Sequence, residues 1–290
     1  MTMQPTMPER VRSSLAVRGT LGSGVGRWGL SIVGGIVLLA IVGPWFSPYS
    51  PIATLALPLE APSPEHWLGT DGLGRDALSR FLYGGRVLVA VAFFATILAY
   101  LGGIPLGMAM GYRRGVLDLT VIAVADLILA FPAIVFVLVL VAAAGPQLSI
   151  VIVGIATINL PRVVRISRTV TIDLSTREFV EASVARGESL LSIIRNDIFP
   201  NIWTPILADF GIRLTSSIIL FSSLSYLGFG QQPPAADWGL MISENRAGLF
   251  IQPWVVVAPA LTIATLCIGV NLVADGVARS AGRSVLARDV

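Results

Sequence analysis

The chain has 290 residues, 54% of them hydrophobic and only 13% charged, where soluble domains carry about 25% charged residues. All 20 basic residues are arginine and the formal charge is +3; without a lysine there is no P-loop and no Schiff-base chemistry, so ATP hydrolysis by this chain alone is not expected. One histidine, His66, and one cysteine, Cys267, rule out a His/Cys zinc cluster and an intrachain disulfide.

Six apolar runs approach the roughly 20 residues that cross a bilayer: Trp28–Phe46, Val87–Gly111, Leu117–Val141, Leu148–Val164, Trp203–Leu227 and Trp254–Ala274. The expected fold is an all-α membrane protein with six transmembrane helices. With the N-terminus inside, 15 arginines fall in inside segments and 4 in outside segments, and Arg213 lies within the fifth span. That bias predicts that both termini are cytoplasmic. The arginines flank spans rather than clustering with aromatics on one face, which argues against nucleic acid. The first span is longer than the apolar region of a signal peptide, about 7–15 residues, and reads as a retained helix.

After it comes a Pro-rich outside stretch (Pro48, Pro51, Pro58, Pro62, Pro64), then the turn-rich Leu68-Gly-Thr-Asp-Gly-Leu-Gly-Arg-Asp76. Asp76 to Tyr83 predicts a short amphipathic helix. His66 and Trp67 read as interfacial packing, with ligand contact as the alternative. In the second span Gly103, Gly107 and Gly111 recur every four residues, which places a groove on one helix face for close backbone approach; the high glycine content of membrane helices gives the same spacing. Pro105 and Pro132 predict bends in spans two and three. The fourth span is short and ends near Pro161.

Between spans four and five lies a polar, basic island, residues 165–201. Ser175-Thr-Arg-Glu178 fits a capping box, starting a helix that carries Phe179, Val180, Ala182 and Val184. Gly187 is placed to end it as a left-handed cap. Ser189 caps a second helix with Leu190, Leu191, Ile193, Ile194 and Ile198, and Pro200 breaks the chain before span five.

Glu181-Ala-Ser, three residues, Gly187, then Ile198-Phe-Pro200 resembles the cytoplasmic loop signature of permease subunits of binding-protein-dependent ABC importers, which runs Glu-Ala-Ala, three residues, Gly, then a distant Ile-Leu-Pro. Ser183 and Phe199 depart from it. Leu68–Arg80 with Tyr83-Gly-Gly-Arg86, Asp126-Leu-Ile-Leu-Ala-Phe-Pro132, Leu224-Ser-Tyr-Leu-Gly-Phe-Gly230 and Asp237-Trp-Gly239 look like the peptide/nickel branch, specifically its dipeptide and oligopeptide C-type permeases. The resemblance implies the type I ABC importer permease fold, divided into a tail (1–27), a first helix with its outer segment (28–86), a permease core (87–281) and a C-terminal tail (282–290).

It also implies a multi-pass subunit of the bacterial cytoplasmic membrane that moves short peptides, and nickel or haem as alternative cargo. The implied partners are a homologous B-type permease, two ATP-binding subunits and an extracytoplasmic substrate-binding protein. ATP and Mg would be held by the ATPases, with no cofactor, metal or catalytic residue in this chain. Glu181, Ala182, Ser183, Gly187, Ser189, Leu190, Ile194 and Pro200 would form the coupling helix against one ATPase, with Glu181 in polar contact and Leu190 and Ile194 as buried contact.

Span five carries Ser216, Ser217, Ser222 and Ser223, a stripe that suits a weakly polar pathway and equally suits interhelical hydrogen bonding. Asp126, Asp209 and Arg213 are charges at or within spans. Asp209 and Arg213, four apart, are placed to pair. Asp126 is expected to face Arg162 or Arg165, or to sit in a subunit interface. Two other classes compete with an ABC permease: a secondary transporter with Asp126 or Asp209 as proton relay, and a membrane scaffold without transport.

Overall fold

The computed structural model describes residues 24–113 and 115–286, without the side chains of Leu117 and residues 280–286. Arg10, Arg12, Arg18, Arg114 and Arg288, with the rest of residues 1–23 and 287–290, lie outside the described residues.

Among the described residues ten α-helices follow one another: α1 Gly24–Val42, α2 Ala77–Arg113, α3 Val116–Ala130, α4 Ala133–Ala144, α5 Leu148–Ser175, α6 Glu178–Ala185, α7 Leu190–Ile193, α8 Phe199–Tyr226, α9 Trp238–Asn245 and α10 Trp254–Leu286. Among the described residues five stretches are long and apolar enough to cross a membrane: Gly24–Phe46, Ala77–Arg113, Leu148–Ser175, Leu190–Tyr226 and Trp254–Arg279. A bent helix pair supplies a sixth crossing if it counts as one span.

That broken pair occupies the expected third span, and Pro132 bends it as the sequence predicts, so sharply that it is two helices. α3 and α4 meet at 89°. Phe131 and Pro132 adopt extended backbone between them, because the residue before proline is pushed away from the helical region and proline has no N–H to continue the ladder. Two expectations change. The short helix at Asp76–Tyr83 is the first two turns of α2, which runs unbroken through Gly84 and Gly85, so a boundary at residue 86 cuts a helix. The fourth span does not stop at Pro161: α5 continues to Ser175 with Pro161 inside it, which moves Arg162, Arg165 and Arg168 from loop to helix.

α2 is the central helix and packs most extensively on α5, while α10 holds α1 and α8. The glycines explain the α2–α5 contact. A Cβ on Gly103 would meet Val163 at 2.7 Å, on Gly107 the Val164 carbonyl at 2.6 Å, and on Gly111 the Arg168 carbonyl at 2.7 Å. The two backbones touch, and no side chain fits between them. Gly29 does the same for α1, where a Cβ would lie 2.8 Å from the Gly269 carbonyl of α10.

Apolar packing forms two clusters. One gathers Leu88, Val91, Ile155, Phe221, Leu224, Trp238 and Met241 towards α9. The other gathers Tyr100, Ile104, Val163, Val180, Ile193, Ile198 and Ile202 towards α6 and α7. A buried polar layer joins α2, α5 and α8: Ser217 accepts from Asn159 Nδ2 at 3.0 Å and lies 2.9 Å from Thr96 Oγ1.

At the α9 end, residues 47–76 and 237–252 lock together as a cap. Asp71 accepts from the Leu73 and Arg75 amides and from Arg75 Nε at 2.6 Å. Arg75 and Arg80 both donate to Glu244 at 2.8 Å. Asn245 accepts from the Gly72 amide, and Gln252 donates to the Glu60 carbonyl. His66 is buried, 2.8 Å from Asp76 and stacked near Tyr49, while Trp67 is exposed. Gly69 and Gly74 take positive φ to turn this chain.

Candidate functional site

At the opposite end of the bundle from the cap, α5 gives way to an arm, residues 176–198, that folds back under α8. Its corners follow from local rules. Gly187 has φ +76 with nothing within 4 Å of a would-be Cβ, and the Glu188 amide donates back to the Ser183 carbonyl at 3.2 Å. This is the left-handed helix end that glycine adopts at least cost. Ser189 accepts from the Ser192 amide and starts α7.

The capping box does not form. Arg177 occupies the N-cap position of α6 without a side-chain bond, and Ser175 Oγ donates to the Ile172 carbonyl inside α5. α5 runs into the position that the box needed. Nor does Pro200 break the chain. It occupies the first turn of α8, where a missing N–H costs nothing. A π turn at Ile194–Ile198 carries the helical path from α7 into α8.

Packing divides the arm into two faces. Val180, Ser183, Ile193 and Ile198 are buried against α2 and α5. Ser183 is more than a small residue here: its hydroxyl accepts from Arg186 Nη2 at 2.6 Å and donates to the Phe179 carbonyl. Ile194 turns inward to the same core and Leu190 is half-buried, while Val184 and Leu191 are the arm's strongly exposed aliphatic side chains, at 53% and 74% exposure. Sequence periodicity missed them because the turn at Gly187 and the π turn reset the helical register.

Glu181 and Ala182 lie on the exposed face, and Glu181 has no ion pair among the described residues. Beside them, hydrogen bonds from Arg186 and then Ser192 hold the Glu188 carboxyl below the usual carboxylate range. The outward surface thus carries Glu181 beside two exposed aliphatic side chains, with Glu178, Arg186 and Arg195 also exposed.

The expected pathway serines separate. Ser217 is buried in the interhelical polar layer with Thr96 and Asn159. Ser216 is half-buried and donates to the Ile212 carbonyl. Ser222 and Ser223 donate to Ile218 and Ile219 carbonyls and line an open recess of about 520 Å³ with Ile134, Tyr226, Ile242 and Ile263. The recess joins α4, α8, α9 and α10, and Tyr226 is the lining residue that sequence reasoning did not single out.

The span charges find partners. Asp126 pairs with Arg165. Asp118, also on α3, takes both ends of the Arg168 fork at 2.6 and 2.7 Å. Asp209 receives Arg213 at 3.2 Å and the Tyr100 hydroxyl at 2.7 Å.

The chain's similarities agree with this architecture. The family described as "binding-protein-dependent transport system inner membrane component" matches residues 103–283. A dipeptide transport system permease protein of Alkalihalophilus pseudofirmus is 35% identical over 249 residues, which are 86% of this chain and 82% of that one. A glutathione transport system permease protein of Pectobacterium atrosepticum is 36% identical over 217 residues, 75% of this chain and 72% of that one. Among solved structures, an inward-facing methionine ABC transporter chain (MetNI) superposes with a TM-score of 0.54 at 18% identity, covering 66% of this chain and 91% of that chain. A family match over more than half the sequence, joined to such relatives, places this multi-pass membrane chain in the family of inner-membrane permease components of binding-protein-dependent ABC importers.

Proposed function

We propose that this chain is the translocation half-channel of a bacterial cytoplasmic-membrane importer for short peptides, driven through the arm by ATPases in other chains. The observation that carries the proposal is the arm's outward face: Glu181 beside exposed Val184 and Leu191 on a backbone fixed from behind by Val180, Ile193 and Ile198. An amphipathic helix presented this way fits an apolar groove on a partner. The relatives' names add the cargo class, since dipeptides and glutathione are both short peptides.

The proposed assembly adds a homologous B-type permease, two ATP-binding subunits that hold ATP and Mg, and a binding protein docked on the cap side, with both termini cytoplasmic. Closure of the ATPase dimer draws the arms together, the helices rock, and the pathway opens towards the docked protein. Hydrolysis returns it. The competing proton-relay reading is disfavoured by the pairing of Asp126 and Asp209 with arginines, because protonation would forfeit the ion pair.

The test is uptake of a labelled dipeptide by the whole complex in proteoliposomes. ATP-dependent uptake that survives a protonophore supports the proposal. Uptake that follows the proton gradient without ATP overturns it. Competition by nickel or haem, with none by peptides, reassigns the cargo.

A further inference from the structure

α5 and α8 hold four arginines between them: Arg162, Arg165, Arg168 and Arg213. Three have a carboxylate: Arg165 has Asp126, Arg168 has Asp118 and Arg213 has Asp209. Arg162 has none among the described residues; its one hydrogen bond within the chain goes to the Ile158 carbonyl at 3.2 Å. It is half-buried and lies within electrostatic reach of Arg213.

Register fixes where this happens. Each of α5 and α8 is 28 residues long, and Arg162 and Arg213 are each the fifteenth residue. The Asn159–Ser217 hydrogen bond holds the two antiparallel helices in step one turn away. The two arginines therefore sit level with one another near the middle of both helices. Asp209 answers only one of them and shares its other oxygen with the Tyr100 hydroxyl. Arg162, Arg213 and Asp209 together carry one positive charge in excess. An unanswered charge at that depth is costly and marks a ligand or ion pathway.

We infer that Arg162, backed by Arg213, is a mid-membrane station for a carboxylate, and that the group it receives is the free C-terminal carboxylate of the peptide cargo. A guanidinium offers that group a two-pronged, charge-assisted hydrogen bond. Arg213 holds Arg162 away from Asp209 by repulsion, so the prong stays free for cargo. The station rests on the peptide reading above and adds a feature the cargo must have. It also gives release a basis, because a single arginine on an open face binds transiently.

The experiment uses the complete complex in proteoliposomes with one dipeptide supplied as the free acid and as its C-terminal amide. The acid-to-amide uptake ratio is compared between wild type, Arg162→Gln and Arg162→Lys, each with the same binding protein, so that the preference of that protein cancels. Expected is a fall of about tenfold in the ratio for Arg162→Gln, the scale of one charge-assisted hydrogen bond, and recovery of most of it for Arg162→Lys. An unchanged ratio in Arg162→Gln overturns the station while the peptide reading stands. Loss of co-purifying B-type permease in Arg162→Gln with an unchanged ratio assigns Arg162 to the subunit interface instead. Wild-type complex that transports neither peptide overturns both readings. If Arg162→Gln does not assemble, Arg162→Met, of similar length without the charge, takes its place: a lower ratio than in wild type supports the station, and an equal one refutes it.

Discussion

In the cap, Asp71, Asp76 and Arg80 are fully buried and Arg75 is 4% exposed, and the acids and bases answer one another inside the chain. In the arm, Arg177 with Asp173 and Arg186 with Glu188 form exposed local pairs, while Glu181, Val184 and Leu191 face outward. The cap is mostly turns and isolated bridges closed over one short helix, whereas the arm is two short helices joined at a glycine turn. The cap spends its polar groups on closing itself; the arm fixes its back and leaves Glu181, Val184 and Leu191 outward. What a short segment presents to its surroundings therefore depends on which half of it is anchored, more than on sequence polarity.

The comparison breaks first at Glu244. Glu244→Ala leaves Arg75 and Arg80 opposed, with Asp71 as their remaining acid, and breaking such a buried group costs about 3 kcal/mol or more. Thermal unfolding in detergent should show a clear loss of stability; an unchanged midpoint would mean that the cap is not held by its charges. Next is Gly187→Val. The site has open space but φ +76, so the cost is roughly 1–2 kcal/mol of backbone strain. Membrane insertion should persist and ATP-driven uptake should be lost, and normal uptake would count against the arm as the coupling element.

Leu191→Ala should shift stability by less than about 0.5 kcal/mol, being exposed, yet reduce the ATPase retained on the purified complex. Equal retention would place the contact elsewhere. The smallest effect concerns Asp237, which caps α9 through the Leu240 amide. Burial pushes its carboxyl above the usual carboxylate range, against bonds from Ser225, Leu240 and Gly239 that pull it down. A raised folded value stabilises fully below the unfolded value of about 4 and is lost as pH rises through the folded one. The cap should therefore loosen with rising pH, read as faster amide exchange along α9, and Asp237→Asn should flatten that slope.

Features that depend on a few neighbouring residues were legible in the sequence. Gly187 and Ser189 cap as their types and spacing demand, Asp209 meets Arg213 one turn away, and the glycines at 103, 107 and 111 line one face. What escaped depends on distant partners or on two rules in conflict. Arg168 looks like a loop charge until α3 brings Asp118 to it, whereas Asp126 meets Arg165 as one of the pairings the sequence offered. Pro161 reads as a stop, yet tertiary packing of α5 on α2 carries the helix past it. Ser217 reads as one of a stripe, and only Thr96 and Asn159 make it a structural lock. Glu244 sits 169 residues from Arg75, beyond any local pattern.

The stretch from Leu190 to Tyr226 is 37 residues of near-continuous helix, a rod about 55 Å long at 1.5 Å per residue. Tilted about its middle by roughly 10°, it swings each tip by about 5 Å, and the tips travel in opposite directions. Whichever way the Leu191 tip moves, the Ser222–Tyr226 tip, with its recess, moves the other way. A seesaw of this kind would couple the arm to the recess without any change within the helix between them.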